Sequence, residues 1–257
     1  MDKGKHLSVA TWNCQGIKTN WMGVKDLTKM VDVILLQEIW LEDWEGGVLQ
    51  ELEKGFSFKF ISGMDPAREK NVGRPYGGVA ILWNIKKVDY VGEVRFSENR
   101  RIINIELGFS GAKFNVINVY APSDTRSKDD AFLIMEFWGQ LNAEIESSKW
   151  DNVIIGGDFN TDYEREGNHL ELLNDSLEEN NLIIGDFKNE KKITYVSKIN
   201  GATSWIDHFI VSKGMEGLLD SCEVQDNVMG SDHYPLKITL KIQPGLQQDL
   251  VKNEKTV

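Results

Sequence analysis

Residues 152–160 read Asn-Val-Ile-Ile-Gly-Gly-Asp-Phe-Asn, a short apolar run that ends in two glycines and is followed by Asp158 and Asn160. Apolar, β-branched residues bounded by glycines predict a buried strand that stops at the glycine pair. A carboxylate at the end of such a strand is costly to bury unless it is hydrogen-bonded, paired or bound to a metal. The same residues are also suited to a turn, so their meaning depends on the rest of the chain.

Polar groups stand at the ends of other predicted strands as well. They are Asn13, Glu38, Tyr120, Asp158 with Asn160, Asp207, and Asp232 with His233. Asp207 lies inside an apolar strand, and Asp232 and His233 precede the last strand, residues 236–242. One such acid would mean little, but its recurrence predicts groups that converge at one edge of a pair of sheets.

The order of elements predicts the fold class. Residues 77–83, 101–107 and 114–120 have strand patterns with no helical pattern between them, which favours an antiparallel or mixed sheet. Helical spacing recurs at Val24, Leu27 and Val31, at Trp44, Val48 and Leu52, and at Leu170, Leu173 and Leu177. We expect an α+β fold, a four-layer α/β/β/α sandwich in which two mostly antiparallel sheets are flanked by helices.

A helix start is marked near the middle of the chain. Ser127 followed by Asp130 predicts a capping box, in which each side chain bonds the backbone at the other position. The helix that follows would turn Phe132, Leu141 and Ile145 towards the core.

The bulk composition describes an ordinary globular protein. Of 257 residues 41% are apolar, and we expect one domain over residues 1–242 with a polar tail over 243–257. No apolar run approaches the roughly 18 residues of a membrane helix, and the N-terminus lacks the apolar region of a signal peptide. Two cysteines form no disulfide framework, so we expect a reduced, intracellular location, nuclear if the protein acts on genomic DNA and cytoplasmic otherwise. We also expect a monomer.

The net charge of −11 argues against a tight nucleic-acid binder, because phosphate contacts normally require a basic surface. It does not argue against an enzyme whose acids hold metal ions against a phosphate. Net charge also hides local basic pairs such as Lys191-Lys192.

Six short motifs occur in order: Trp12-Asn13 with Gly16, Gln37-Glu38, Tyr120-Ala121-Pro122, Gly157-Asp158-Phe159-Asn160, Ser204-Trp205-Ile206-Asp207 and Ser231-Asp232-His233. As an ordered set over about residues 8–241, they resemble the endonuclease/exonuclease/phosphatase superfamily, which includes apurinic endonucleases, DNase I and inositol-polyphosphate 5-phosphatases. The resemblance implies a DNase I-like form of the sandwich. Within the superfamily the chain looks closest to endonuclease domains of LINE-type (non-LTR) retrotransposons, through residues 12–16, 77–81, 119–122 and 156–160.

The resemblance implies a Mg²⁺ site at the acids of this set, with Mn²⁺ as a substitute. Glu38 would bind the ion, since Mg²⁺ is a hard cation that prefers oxygen ligands. Asn13 would assist through its amide oxygen, and Asp232 would bind a second ion or position the nucleophile. Asp158 would orient or deprotonate the attacking water, and Asn160 would hold that water or a phosphate oxygen.

One histidine is implied to act on the substrate. His233 would hydrogen-bond the phosphate and stabilise the charge that develops during attack. Asp207 would accept a hydrogen bond from its other ring nitrogen and so fix its tautomer. We interpret His6, His169 and His208 as structural, and His208 follows Asp207, so it points to the opposite face of the strand.

Three further residues are candidates for substrate contact. Tyr120 would donate its hydroxyl to a phosphate oxygen, or serve as a core aromatic at a strand end. Thr194 and Ser204 stand where relatives contact the substrate, and they could equally be sheet residues.

A basic hairpin is predicted near the C-terminal third. Residues 194–196 could pair with residues 203–205 across the turn dipeptide Asn200-Gly201. Lys191 and Lys192 lie beside it, where relatives insert a hairpin into a DNA groove. They would anchor DNA phosphates, or they are simply solvated.

Together these features predict a Mg²⁺-dependent phosphodiesterase, an endonuclease that nicks DNA by attack of an activated water. One alternative is a phosphatase acting on a small phosphorylated molecule or phosphoinositide. Residues 204–207 resemble part of the 5-phosphatase signature, although His208 stands where that signature has an arginine. A catalytically silent binding domain is the other alternative. A Ser-His-Asp hydrolase is excluded, because Ser231, Asp232 and His233 are consecutive and no Gly-x-Ser-x-Gly elbow is present.

Overall fold

The computed structural model describes residues 5–52, 54–65, 73–125, 127–188 and 192–242. Its helices are α1 (Ile17–Thr28), α2 (Gly47–Leu52), α3 (Lys128–Glu146) and α4 (Asn168–Glu179), with short 3₁₀ helices at Gly185–Lys188 and Lys213–Leu218. Its strands are β1 (Lys5–Asn13), β2 (Val33–Gln37), β3 (Phe56–Ile61), β4 (Val79–Asn84), β5 (Val88–Phe96), β6 (Ile102–Phe109), β7 (Ala112–Tyr120), β8 (Val153–Asp158), β9 (Leu182–Ile184), β10 (Tyr195–Val196), β11 (Thr203–Ser204), β12 (Asp207–Ser212), β13 (Leu219–Val224) and β14 (Leu236–Ile242).

Twelve of the strands form two six-stranded sheets, and β10 and β11 form a separate two-stranded hairpin. One six-stranded sheet has the order β13-β14-β1-β2-β4-β3 and the other has the order β5-β6-β7-β8-β12-β9. In each sheet one central pair is parallel, β1 with β2 and β7 with β8, and the other neighbouring strands are antiparallel. The predicted mostly antiparallel sheets are therefore confirmed.

Three apolar clusters define the layers. Side chains of both sheets meet in a central cluster that includes Leu35, Ile105, Ile154 and Ile238. Helix α1 covers the outer face of the first sheet in a cluster that includes Trp12, Val24, Leu27 and Leu36. Helices α3 and α4 cover the outer face of the second sheet in a cluster that includes Ile117, Phe137, Leu141 and Leu173. The predicted four-layer sandwich is confirmed.

The two parallel pairs determine where the polar strand ends lie. Because parallel strands end at the same edge of a sheet, Asn13 and Gln37 are neighbours in one sheet, and Tyr120 and Asp158 are neighbours in the other. A buried hydrogen bond of 2.6 Å from the Gln37 amide to the Asn118 amide oxygen joins the sheets just below this edge. The four strand ends therefore face one another across the sandwich.

Several local predictions are confirmed. Ser127 and Asp130 form the capping box at the start of α3, with the Ser127 hydroxyl accepting from the Asp130 amide at 3.0 Å. Residues of β10 pair with β11 as expected, Tyr195 with Ser204 and Val196 with Thr203.

Two predictions of helix orientation are wrong. Phe132 does not face the core, since it is 69% exposed, whereas Leu141 and Ile145 are buried. The buried stripe of α3 passes instead through Ile134, two residues further on, which corresponds to a rotation of roughly 200° around the helix. Trp44 lies outside α2 and is 79% exposed, because α2 begins only at Gly47.

Within the described residues, no helix is long and apolar enough to cross a membrane. The predicted polar tail, residues 243–257, lies outside the described residues.

Candidate active site

A cleft of about 540 Å³ opens at the edge where β1, β2, β7 and β8 end. Seven of the residues predicted from sequence line it: Glu38, Tyr120, Asp158, Asn160, Ser204, Asp232 and His233. Asn13 and Asp207 lie directly beneath, hydrogen-bonded to lining residues. The predicted convergence of distant segments therefore occurs.

The amide of Asn13 joins the two acids at the base of the cleft. Its nitrogen donates to Oε1 of Glu38 and to Oδ2 of Asp158, both at 2.9 Å. We expected the amide oxygen to face this position, but that oxygen instead accepts from the Gln15 amide at 3.3 Å. The orientation has a simple cause, since two carboxylates on either side of one amide require its donor rather than its acceptor.

Glu38 is held by further donors. The Tyr120 hydroxyl donates to Oε1 at 2.9 Å, and the Trp40 indole nitrogen donates to Oε2 at 3.2 Å. Tyr120 was predicted to donate to a substrate phosphate, and its proton is directed to Glu38 instead. Burial, followed by the charges of Glu38 and Asp158, raises the pKa of Tyr120 well above its usual range. Tyr120 is therefore a neutral donor near neutral pH.

His233 and Asp207 form the predicted pair. Nδ1 of His233 lies 2.9 Å from Oδ2 of Asp207, which leaves Nε2 facing the cleft, 3.9 Å from Oδ2 of Asp158 and 4.0 Å from Oδ1 of Asp232. Burial lowers the pKa of His233, but the charges of Asp207, Asp158 and Asp232 outweigh it and raise that pKa to about 9. His233 is therefore an imidazolium at neutral pH and can donate from Nε2.

Asp158, by contrast with His233, is placed to accept a proton. Its carboxyl is buried at the end of β8, and it accepts from the Asn160 amide at 3.0 Å and from Asn13. Burial, with Asp207 adding to it, raises the pKa of Asp158 to about 7, while His233 acts to lower it. A carboxylate with a pKa near neutrality can accept a proton at physiological pH.

The position of Asn160 is set by its backbone. Asn160 adopts a positive φ of 50° directly after Asp158, a conformation that asparagine tolerates better than most residues. Its side-chain nitrogen donates to the carbonyl of Ala121 at 2.8 Å, so the loop after β7 holds the loop after β8.

The donor set fits a hard divalent cation. Among the described residues, Oδ1 of Asp207 and Oδ1 of Asp232 are buried atoms without a hydrogen-bond partner. Ligand atoms of Asp158, Asp207 and His233 also lie within 4.8 Å of one another, but a protonated His233 has no lone pair to offer a metal, so only the two carboxylates of this group could contribute. Buried carboxylate oxygens that lack donors are suited to Mg²⁺ or Mn²⁺, which prefer oxygen ligands.

The prediction for Thr194 is wrong. Thr194 is fully buried, and its hydroxyl accepts from the backbone amides of Ile206 at 3.2 Å and Asp207 at 3.1 Å. It therefore supports the start of β12 from behind and does not face the cleft. Ser204, by contrast, lines the cleft as expected.

Lys192, one of the two lysines predicted beside the hairpin, has contacts within the protein. Nζ of Lys192 lies 3.7 Å from Oε1 of Glu164 and 4.9 Å from the centre of the Trp205 ring. Lys192 therefore has an acidic and an aromatic neighbour within the protein, and its contact with DNA phosphate stays a prediction. Lys191 lies outside the described residues.

Sequence reasoning missed Arg165. It is the only lysine or arginine among the described residues that line the cleft. Its guanidinium donates to the Ser204 hydroxyl at 3.0 Å and to the Thr203 carbonyl at 2.6 Å. Arg165 lies in the loop between β8 and α4 and belongs to none of the six sequence motifs, so only the folded chain identifies it.

The other buried histidines, His208 and His169, are both hydrogen-bonded within the fold, and His169 also lines the cleft. His208 lies on the face of β12 opposite Asp207, with Nδ1 2.9 Å from Asp186 and Nε2 2.8 Å from the carbonyl of Thr161. His169 accepts from the Trp138 indole at 3.0 Å, and its other nitrogen lies 2.8 Å from the Pro122 carbonyl. Both therefore brace the loops beside the cleft.

Comparison with known proteins adds to this geometry. A family model described as "Endonuclease/Exonuclease/phosphatase family" matches residues 10–233. An exodeoxyribonuclease of Bacillus subtilis (strain 168) is 21% identical over 272 residues, which cover 92% of this chain and 100% of that protein.

Solved structures share the fold. An AP endonuclease, LMAP from Leishmania major, superimposes with a TM-score of 0.76 at 17% identity, over 93% of this chain and 89% of that one. The 3′ phosphatase NExo from Neisseria, bound to a product DNA hairpin, has a TM-score of 0.71 at 20% identity, over 90% and 98% of the two chains. The DNase I-like sandwich is therefore confirmed.

Proposed function

The chain belongs to the endonuclease/exonuclease/phosphatase family, and we propose that it is a Mg²⁺-dependent phosphodiesterase that nicks DNA by attack of an activated water. Its assignment as a hydrolase of phosphate-ester bonds follows from the family itself. The observation that carries the proposal is the meeting of Glu38, Asp158 and the Asp207–His233 pair in one cleft.

Asp158 is the proposed proton acceptor. With a pKa of about 7 it is largely ionised just above neutral pH, and it still has enough basicity to take a proton from water. The amides of Asn13 and Asn160 fix its two oxygens, which aims the remaining lone pairs into the cleft. Asn160 lines the same cleft and is placed to hold the water or a phosphate oxygen.

His233 is the proposed donor to the phosphate. Asp207 holds its Nδ1 proton, so the Nε2 proton is available to a non-bridging oxygen at the place where negative charge develops. A preorganised donor of this kind stabilises the transition state more than the ground state, and its removal typically costs about 100- to 1000-fold in rate.

Glu38 and Asp232 are the residues that would hold the cation, with Asn13 and Tyr120 orienting Glu38. Bound there, Mg²⁺ or Mn²⁺ supplies positive charge against the phosphate oxygens. Such a charge also offsets the acidity of a cleft in which Arg165 is the only lysine or arginine among the described lining residues.

DNA is the proposed substrate because of the relatives. The matched Bacillus subtilis protein is an exodeoxyribonuclease, and NExo is described with a product DNA hairpin. Ser204 and Arg165 are the substrate contacts that the cleft offers. Acting on DNA, the protein would work as an intracellular monomer, in the nucleus where genomic DNA is the target and in the cytoplasm otherwise.

The closeness to LINE-type endonuclease domains remains part of this proposal. It is supported by the sequence stretches that resemble those domains, residues 12–16, 77–81, 119–122 and 156–160. The separate tail over residues 243–257 is likewise proposed from its polar composition alone.

A second candidate is a DNA 3′ phosphatase, which the likeness to NExo favours. A terminal phosphomonoester would use the same Asp158 and His233. A silent binding domain is disfavoured, because every acid of the motif set and His233 are present and converge in the structure.

One paired assay separates these functions. Supercoiled plasmid, an abasic duplex, a 3′-phosphorylated DNA hairpin and a phosphoinositide are each incubated with Mg²⁺, with Mn²⁺ and with EDTA. We expect nicking of plasmid or of the abasic duplex with either metal and none with EDTA. Release of phosphate from the hairpin or the phosphoinositide, with both duplexes intact, would replace the nuclease with a phosphatase.

A further inference from the structure

Trp40 has an unusual position relative to the acid that is proposed to hold the metal. Two donors, Asn13 and Tyr120, reach Oε1 of Glu38. Among the described residues, the indole nitrogen of Trp40 donates to the other oxygen, Oε2, at 3.2 Å. Two donors on one oxygen leave the carboxylate free to pivot about it, so the third donor sets the plane in which both oxygens lie.

The backbone that places the Trp40 indole is conformationally strained. Glu38 and Trp40 both have positive φ angles, 50° and 52°, and for a bulky residue this conformation is an outlier. Backbone hydrogen bonds hold it, from the Gly16 amide to the Glu38 carbonyl at 2.7 Å and from the Trp40 amide to the Gly77 carbonyl at 3.1 Å. Strain that neighbouring segments maintain in this way points to a functional constraint.

The ring itself is clamped. A Cβ atom added at Gly16 would lie 2.3 Å from Cε3 of Trp40, so the ring lies directly against the backbone of that glycine. The guanidinium of Arg74 stacks over the ring at 3.7 Å from its centre. Glycine at position 16 is therefore required for the Trp40 indole to reach Glu38. The Arg74 guanidinium, stacked on the indole, limits the motion of the ring.

We propose that Trp40 is a positioning residue, which orients the carboxylate of Glu38 for the divalent cation. The inference rests on the proposed function, because it assumes that Glu38 holds the ion. Partners that orient a metal ligand typically account for about 10- to 100-fold in metal affinity. The cation would be held by Glu38 and not by Trp40, so a substitution of Trp40 should chiefly change the concentration of metal that the enzyme needs.

The test is calorimetric titration of Mg²⁺ and Mn²⁺ into the full chain without substrate. Trp40→Phe keeps most of the ring against Gly16 and removes the N–H. We expect it to raise the Kd for Mg²⁺ about tenfold, with kcat at saturating Mg²⁺ within about twofold of wild type. The matched control is Trp21→Phe, since Trp21 is 43% exposed on α1, and its Kd should stay at the wild-type value.

Arg74→Met is a second variant, which frees the outer side of the indole without touching the core, and we expect a smaller rise in the Kd. Circular dichroism and thermal melting establish that each variant is folded. A Kd for folded Trp40→Phe equal to that of wild type overturns the inference and leaves the proposed function standing. Absence of Mg²⁺ and Mn²⁺ binding by wild type overturns both.

Discussion

Oδ2 of Asp207 lies 2.9 Å from Nδ1 of His233, and Asp207 stands directly opposite Asp158 in the antiparallel register of β12 and β8. One pair of neighbouring strands therefore carries both the proposed proton acceptor and the residue that orients the proposed donor. Thr194 fixes the start of this arrangement, because its hydroxyl accepts from the Asp207 amide.

This arrangement predicts a bell-shaped pH profile. Activity requires Asp158 ionised and His233 protonated, and their pKa values are raised to about 7 and about 9. The rate should therefore rise as the pH passes about 7 and fall above about 9, with both limbs belonging to the coupled pair. Asp207→Asn removes the carboxylate that raises the pKa of His233 most, so its basic limb should move to lower pH.

The measurement is kcat/KM from pH 5 to 10 for wild type and Asp207→Asn at saturating Mg²⁺. A basic limb at the same pH in both proteins would show that His233 is not the group that must stay protonated.

A substitution of Thr194 tests whether this residue supports the start of β12 or contacts the substrate. Thr194→Val keeps the shape of the side chain but leaves two buried amides, those of Ile206 and Asp207, without an acceptor. Unmade buried hydrogen bonds cost about 1–3 kcal/mol each, so we expect the free energy of unfolding in urea to fall by about 2–6 kcal/mol and activity to fall with it. Thr194→Ser retains the hydroxyl and should stay near wild type. If Thr194→Val lost substrate affinity at unchanged stability, the original substrate-contact prediction would be restored.

The second glycine of the Gly156-Gly157-Asp158 run is required by the close approach of strands β7 and β8. A Cβ atom there would lie 2.0 Å from the carbonyl oxygen of Val119 on the neighbouring strand β7, so Gly157→Ala must push β7 and β8 apart. We expect a loss of about 3 kcal/mol or more in unfolding free energy. The control is Gly139→Ala in α3, where an added Cβ meets nothing within 4 Å. This substitution should raise the free energy of unfolding by roughly 0.5–1 kcal/mol, because alanine favours a helix more than glycine does. Equal stability of the two variants would contradict the close approach of the strands.

Sequence patterns predicted those parts of the fold that depend on local chemistry. Buried strands such as residues 153–158, the capping box of Ser127 and the hairpin across Gly201 are each determined by a few neighbouring residues. The sequence patterns did not predict edge strands such as β5. Most residues of β5 are partly or fully exposed and a glycine lies in its middle, so its hydrophobic pattern is weak.

Side-chain directions within the site could not be predicted in the same way. The Asn13 amide is turned by two carboxylates from other strands, and Tyr120 points to Glu38 because that acid lies in the facing sheet. Arg165 is held at the cleft by Ser204 of the hairpin, which lies beside the loop between β8 and α4 in space. These are tertiary contacts between segments far apart in sequence, and no local pattern encodes them.

The most direct measurement is the rate at which supercoiled plasmid is nicked with Mg²⁺ by wild type, Asp158→Ala and His233→Ala. His6→Ala is the matched control, since His6 is a surface histidine paired only with Asp220, at 3.7 Å, in the described chain. We predict that wild type and His6→Ala nick at the same rate and that each of the other variants, folded by circular dichroism, is slower by at least about 100-fold. Nicking by Asp158→Ala and His233→Ala at the wild-type rate would contradict the assignment of this cleft as the active site.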